Sequence, residues 1–416
     1  ATPQTINLLD ANGELHITKS MTITGPGATV LTVKRDNAAA SNFRVFEIDA
    51  GKTVIISGMT ISNGNVVGTA AAGGSGSPGG AASGGGIFNA GTLTLLNAIV
   101  SGNHVTGGIG GSNTGAAGGV GGDAKGGGVY SSGTLTLTNT TVNGSNSATG
   151  GKGGDSDTTG GNGGAGYGGG VYSLGTLTLT LTNSTIDSNT ATGGAGGGGA
   201  IPGSAGSGSG GGIYNDGSSL PATATITSST ISNNTATLNG GGIFNIGTGA
   251  NATLTLTNST ISGNTANNNG GGIYNDSASG TTTLTSVTVT NNTADKDDAG
   301  GGAGGGINVL IGLATFTLKN TIVAGNFKGT AVPIADDITG TVIPASSYNL
   351  IGTGGSGGLI DVTIDMVHNN QVGVADAKLG ALADNGGPTK THALLDLSPG
   401  LEKGNKFSLT TDQRGF

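Results

Sequence analysis

Thr253-Leu254-Thr255-Leu256-Thr257-Asn258-Ser259-Thr260-Ile261-Ser262-Gly263-Asn264-Thr265-Ala266, followed shortly by Gly270-Gly271-Gly272-Ile273-Tyr274-Asn275, is the stretch whose reading decides the fold. Strict Thr/Leu alternation has a period of two, the mark of a half-buried strand. Leu254 and Leu256 then face inward, and Thr253, Thr255 and Thr257 face outward. A helix would need apolar spacing near 3.6, which the stretch lacks. Thr, Ile and Val also favour strands through their branched Cβ.

Working outward, Gly-Gly-Gly followed by Ile or Val starts at Gly84, Gly126, Gly168, Gly210, Gly240, Gly270 and Gly304, at intervals of 42, 42, 42, 30, 30 and 34 residues. Fixed-period units that bury their apolar faces only against neighbours define a solenoid. About 30 residues hold three short strands with turns, one coil of a β-helix. The expected fold is therefore all-β, a right-handed, single-stranded parallel β-helix. Its terminal caps are expected at 1–35 and 361–416, with repeats over 36–360. Residues 1–58 and 361–416 carry 10 and 12 of the 38 charged side chains, as befits segments that blunt exposed strand edges.

Two local features fit stacked coils. Asn103, Asn189, Asn234, Asn264 and Asn292 recur at turns and are expected to stack as an amide ladder; plain solvent-facing turn residues are the alternative. The glycines before each Ile or Val are expected to form a tight corner, where φ > 0 excludes a Cβ.

Gly-rich insertions near 68–83, 107–125, 149–167 and 193–209 lengthen the early coils from 30 to 42 residues, and each precedes a Gly-Gly-Gly corner. In stacked coils they emerge from one edge. Either they stay floppy, or they pack as extended polyproline-II-like strands bonded through their backbones. On the second reading Gly107, Gly108, Gly110, Gly111, Gly150, Gly151, Gly160 and Gly161 form an interaction ridge. It offers rows of backbone donors and acceptors to a neighbouring subunit or a surface glycan.

Composition narrows the function. There is no cysteine, hence no disulfide, thiolate metal site or thiol nucleophile. A net charge of −8, with Arg35, Arg44 and Arg414 as the only arginines, argues against nucleic acid. No apolar run is long enough to cross a bilayer. Low charge with abundant Thr, Ser, Asn and Gly points to a secreted or cell-surface protein, its signal peptide removed.

With the repeats placed, the chain resembles bacterial β-helical surface proteins of the CSLREA and choice-of-anchor Q group. Residues Glu14 to Ala28 look like that group's opening coil. Leu382-Ala383-Asp384-Asn385-Gly386-Gly387-Pro388-Thr389 and Asp412-Gln413-Arg414-Gly415-Phe416 look like its tail. The repeats are also similar to those of chlamydial polymorphic outer membrane proteins, with Gly in place of Ala and Ile or Val in place of Phe. The first resemblance implies a location and a shape, the second adhesion to a host or cell-surface ligand.

The parallel β-helix also hosts polysaccharide lyases and hydrolases, which need several carboxylates on one face. From Gly84 to Ala294 the acidic residues are Asp123, Asp155, Asp157, Asp187, Asp216 and Asp276, and they do not recur in register. Asp216 and Asp276 are two coils apart, about 10 Å at the spacing of stacked strands, and read as turn residues. No catalytic residue and no cofactor is therefore assigned. The histidines His16, His104, His368 and His392 are scattered, with no second ligand at metal spacing. Asp155/Asp157 and Asp295/Asp297/Asp298 are the candidates for a weak calcium site. Outward rows beginning Thr92/Thr94, Thr134/Thr136 and Thr176/Thr178 are similar to those of β-solenoids that bind ice, a minor alternative. The expected function is a non-enzymatic extracellular structural or adhesive protein that self-associates end to end into filaments. A polysaccharide-binding or polysaccharide-degrading β-helix is the rival reading.

Overall fold

The computed structural model describes residues 2–74, 76–175, 178–247, 251–277, 280–310 and 315–416. Among the described residues the secondary structure is β, and apart from two antiparallel pairs towards the C-terminus it lies in parallel sheets built from one short strand per coil: the chain is a parallel β-helix. It divides into two compact units, residues 1–173 with 186–214 and 236–238, and residues 174–185 with 215–235 and 239–416.

In the first unit the Thr-Leu strands stack as Met21–Thr24, Thr53–Ser57, Thr92–Leu96 and Thr134–Thr138. The register sets Val54, Leu93 and Leu135 in one column and Ile56, Leu95 and Leu137 in another. All six are buried. Strands Leu15–Ile17, Phe46–Ile48, Ile87–Asn89 and Val129–Ser131 form a second wall. Gln4–Leu8, Leu31–Arg35, Thr60–Ser62, Ile99–Ser101 and Thr141–Asn143 form a third. Residues 1–35 thus supply outermost strands of the walls themselves. Ile6, Leu15 and Met21 head the core columns of Val33, Phe46 and Val54, and they are 50%, 36% and 40% exposed.

The second unit repeats the plan. Its Thr-Leu wall runs Thr178–Thr182, Ala222–Thr227, Ala252–Thr257, Thr281–Thr285 and Thr315–Lys319, with Leu181, Ile226, Leu256, Leu284 and Leu318 stacked inside. Another wall stacks Ile231, Ile261, Val289 and Val323. Replacing solvent by this continuous apolar column is the main stabilising term, about 25 cal/mol per Å² of apolar surface removed from water. Beyond the last strand of that wall, Gln371–Val374, a hairpin of Leu379–Ala383 and Thr391–Leu394 begins a tail that folds back on the same wall.

The Gly-Gly-Gly corner divides its labour. The first glycine takes a positive φ in every coil, from 62° at Gly168 to 70° at Gly304. The second and third are needed for close approach, since a Cβ on Gly127 or Gly128 would lie 2.4 or 2.7 Å from the carbonyl oxygen of Gly169 or Gly170.

Candidate functional site

The glycine insertions of the first unit are its most distinctive feature, and their pattern is local. Gly107-Gly108-Ile109-Gly110-Gly111, Gly118-Gly119-Val120-Gly121-Gly122, Gly150-Gly151-Lys152-Gly153-Gly154 and Gly160-Gly161-Asn162-Gly163-Gly164 place a larger side chain at every third position. Ile109, Val120, Lys152 and Asn162 are exposed, whereas nearly all the glycines beside them are buried. None of these glycines has a positive φ. A three-residue repeat in extended backbone, bonded sideways, is the polyproline-II geometry.

Each insertion runs out and back, so the four make two layers. Within a layer, the first glycine of a pair donates to the next insertion: Gly107 to Thr149 O and Gly150 to Thr192 O, both at 2.9 Å. Between layers the second glycine donates along a zigzag in which Gly108 bonds Gly80 O, Gly122 bonds Gly108 O, Gly151 bonds Gly122 O and Gly164 bonds Gly151 O, all at 2.8 Å. There is no room for side chains: a Cβ on Gly151 would lie 2.0 Å from Gly108 O, and one on Gly161 1.9 Å from Gly119 O.

This arrangement corrects one expectation. The backbone donors of Gly107, Gly108, Gly110, Gly111, Gly150, Gly151, Gly160 and Gly161 bond neighbouring segments of the same chain. They form no open row for a second molecule. The slab's edges are interrupted as well. The first insertion carries Thr69, Ala72 and Ser77 where the hydrogen-bond register of the second has Gly108, Gly111 and Gly119, so side chains occupy the place of a further layer. The last has Pro202, which lacks an N–H, where the third has Gly160. Between the edges lie two broad faces. One carries Ile109, Lys152 and Ala195, the other Val120, Asn162 and Ser204, and all six side chains are exposed.

The turn asparagines stack within each unit. In the first, Asn103 Nδ2 donates to Asn146 Oδ1 and Asn146 Nδ2 to Asn189 Oδ1, at 3.0 and 2.8 Å. In the second, Asn234, Asn264, Asn292 and Asn326 form a chain with 2.9 Å links. It ends on Asp337, whose Oδ1 accepts from Asn326 Nδ2 at 2.9 Å and whose pKa burial raises. Sequence reasoning missed Asn146, Asn326 and Asp337. It also missed a second ladder, Asn215 to Asn245 to Asn275, and the stacked rings of Phe88, Tyr130, Tyr172 and Tyr214 at 4.9, 5.4 and 5.2 Å. The signal was there, as Ile or Val followed by an aromatic or Asn after each glycine triplet.

The calcium candidates are engaged as hydrogen-bond acceptors, several of them between neighbouring coils. Asp155 Oδ1 takes Lys152 Nζ and the Gly198 amide, both at 2.7 Å, and Asp157 Oδ1 takes the Gly115 amide at 2.7 Å. Asp295 and Asp297 accept from Gly300 and Ala299, and Asp298 binds Thr330. Among the described residues, the one group of three His or carboxylate ligands close enough to share an ion is elsewhere, at His16, Glu47 and Asp49. That overturns the reading of four isolated histidines: the partners of His16 lie one coil away, 31 and 33 residues along the chain.

In the second unit the outward threonines are in register, Thr180, Thr225, Thr255, Thr283 and Thr317 forming one column. Thr176 of the expected rows lies outside the described residues. The folded-back tail leaves a groove of about 480 Å³ against the neighbouring wall. Its polar lining is largely self-bonded: Gln413 Nε2 donates to Ser229 O and Thr389 Oγ1, and Gln413 Oε1 accepts from Thr260 Oγ1. Among the described residues, no helix is long and apolar enough to cross a membrane. No protein-family model, no curated protein and no solved structure matches the chain.

Proposed function

We propose that this chain is a non-enzymatic extracellular structural or adhesive protein, and that the glycine slab is the face through which it associates with copies of itself. The observation that carries this reading is the slab's construction. Ordering so many glycines is entropically expensive, since glycine loses more backbone freedom on folding than any other residue. The slab's product is a pair of broad faces that carry Lys152, Asn162, Ala195, Ser204 and half-exposed Ile109 and Val120. Such faces suit recognition of an extended surface. The backbone-binding roles of Asp155, Asp157 and Asp216 support the non-enzymatic half of the proposal. The resemblance to CSLREA and choice-of-anchor Q proteins points to the same location.

Replacing Ile109 and Val120 together by Asp tests this. Both side chains stand clear of the core, at 54% and 47% exposure, so circular dichroism and melting should be unchanged. Assemblies of the parent protein, measured by sedimentation and negative-stain microscopy, should shorten or disperse in the variant. A parent protein that stays monomeric at all concentrations sinks self-association. Retention of that monomer on a polysaccharide surface, lost in the variant, would make a glycan the slab's partner instead.

A further inference from the structure

We infer that His16, Glu47 and Asp49 form a binding site for a divalent transition-metal ion of the zinc type on the outer surface of the first two coils. Strands Leu15–Ile17 and Phe46–Ile48 pair in parallel with His16 opposite Glu47. Alternation sends Ile17, Phe46 and Ile48 into the core, where all three are buried, and turns His16, Glu47 and Asp49 to the outside. The register of the β-helix thus brings together groups that no local motif contains.

The geometry suits a shared ion. One ligand atom from each residue lies within 4.8 Å of the others, and His16 Nε2 is 2.8 Å from Asp49 Oδ1. Zinc binds nitrogen and oxygen at about 2.0–2.2 Å, so its ligands stand about 3–4 Å apart and small side-chain rotations close the site. All three side chains are accessible, at 50%, 25% and 37% exposure. Chemistry selects the ion class: an imidazole beside two carboxylates suits zinc and its neighbours, whereas calcium and magnesium prefer oxygen alone. Three protein ligands leave the fourth tetrahedral position for water.

The surroundings supply a counter-charge when no ion is bound. Arg44 pairs with Glu47 and with Glu14, at 3.5 Å to the latter, and lies over the Phe88 ring. A metal ion competes with Arg44 for Glu47 and with a proton for His16 Nε2, so binding weakens in acid. The bound ion would clip the outermost strand of this wall to the next coil.

Titration of the full chain with zinc chloride at neutral pH in a non-coordinating buffer tests the site, with heat and released protons both recorded. One equivalent should bind. His16→Ala and Asp49→Asn should each weaken it by at least about tenfold. His368→Ala, which removes the imidazole paired with Asp365, should leave the affinity unchanged. The metal-free melting temperature of each variant separates loss of a ligand from loss of the fold. Cobalt should give the visible spectrum of a low-symmetry, four-coordinate ion in the parent and lose it in His16→Ala. No stoichiometric binding, affinity indifferent to His16, or displacement of zinc by equimolar calcium would each overturn the assignment.

Discussion

At Gly151 the missing side chain is a requirement of packing, because the space a Cβ would fill already holds the carbonyl of Gly108 at 2.0 Å. That neighbour is backbone in a bonded layer and has no easy way to yield. Gly151→Ala should therefore destabilise the first unit by about 1–3 kcal/mol in chemical denaturation, the range for overpacked interiors. Gly198→Ala is the matched control: its nearest neighbour is Asp155 Oδ1 at 3.5 Å, so its effect should stay within about 0.5 kcal/mol. Equal effects at the two positions would refute the bonded slab. Among single residues, the inward Leu and Ile of each Thr-Leu row were legible from period two alone. The Asn ladder was legible where the repeat is regular. It was lost at Asn146, where the extra Ser145 after Gly144 shifts the motif by one position, and at Asp337, where a carboxylate takes the amide's place.

At the scale of elements, the short parallel strands follow from their own sequences, but the tail does not. Residues 384–416 carry charge and no repeat, and their most distant partners lie 130 to 184 residues earlier: His392 meets Ser262, and Gln413 meets Ser229. Contacts of that separation leave no local trace. The tail nevertheless carries a pH dependence with a definite sign. His392 Nδ1 donates to Gly380 O at 2.6 Å, and its Nε2 lies 2.9 Å from Ser262 Oγ. Burial pushes its pKa below the ordinary 6.5. The folded state thus binds this proton less readily than the unfolded chain. The contribution of His392 to docking is complete above pH 6.5 and is lost as pH falls through the lowered folded value. Limited proteolysis of the tail should accelerate on acidification in the parent protein and lose most of that dependence in His392→Gln. A tail that is cleaved at the same rate from neutral to mildly acidic pH would show that the imidazole does not hold it.

At the scale of the whole molecule, the coil lengths of 42 and 30 residues and the four insertions were readable by counting glycine triplets. The slab's bonding was only half readable. Gly-Gly-x repeats signal extended three-residue turns, but which segment bonds which depends on the stacking of coils. The interrupted edges at Thr69, Ala72 and Pro202 emerge only once that register is known. The central claim is that these insertions form one ordered, backbone-bonded body, which is the basis for proposing them as the interaction face. Site-resolved amide hydrogen exchange tests it most directly. The amides of Gly108, Gly122, Gly151 and Gly164, each bonded to a neighbouring segment at 2.8 Å, should be protected as strongly as those of the coil strand Thr134–Thr138. Exchange of all four at the rate of an unstructured peptide would contradict the account and leave the glycines as spacers between coils.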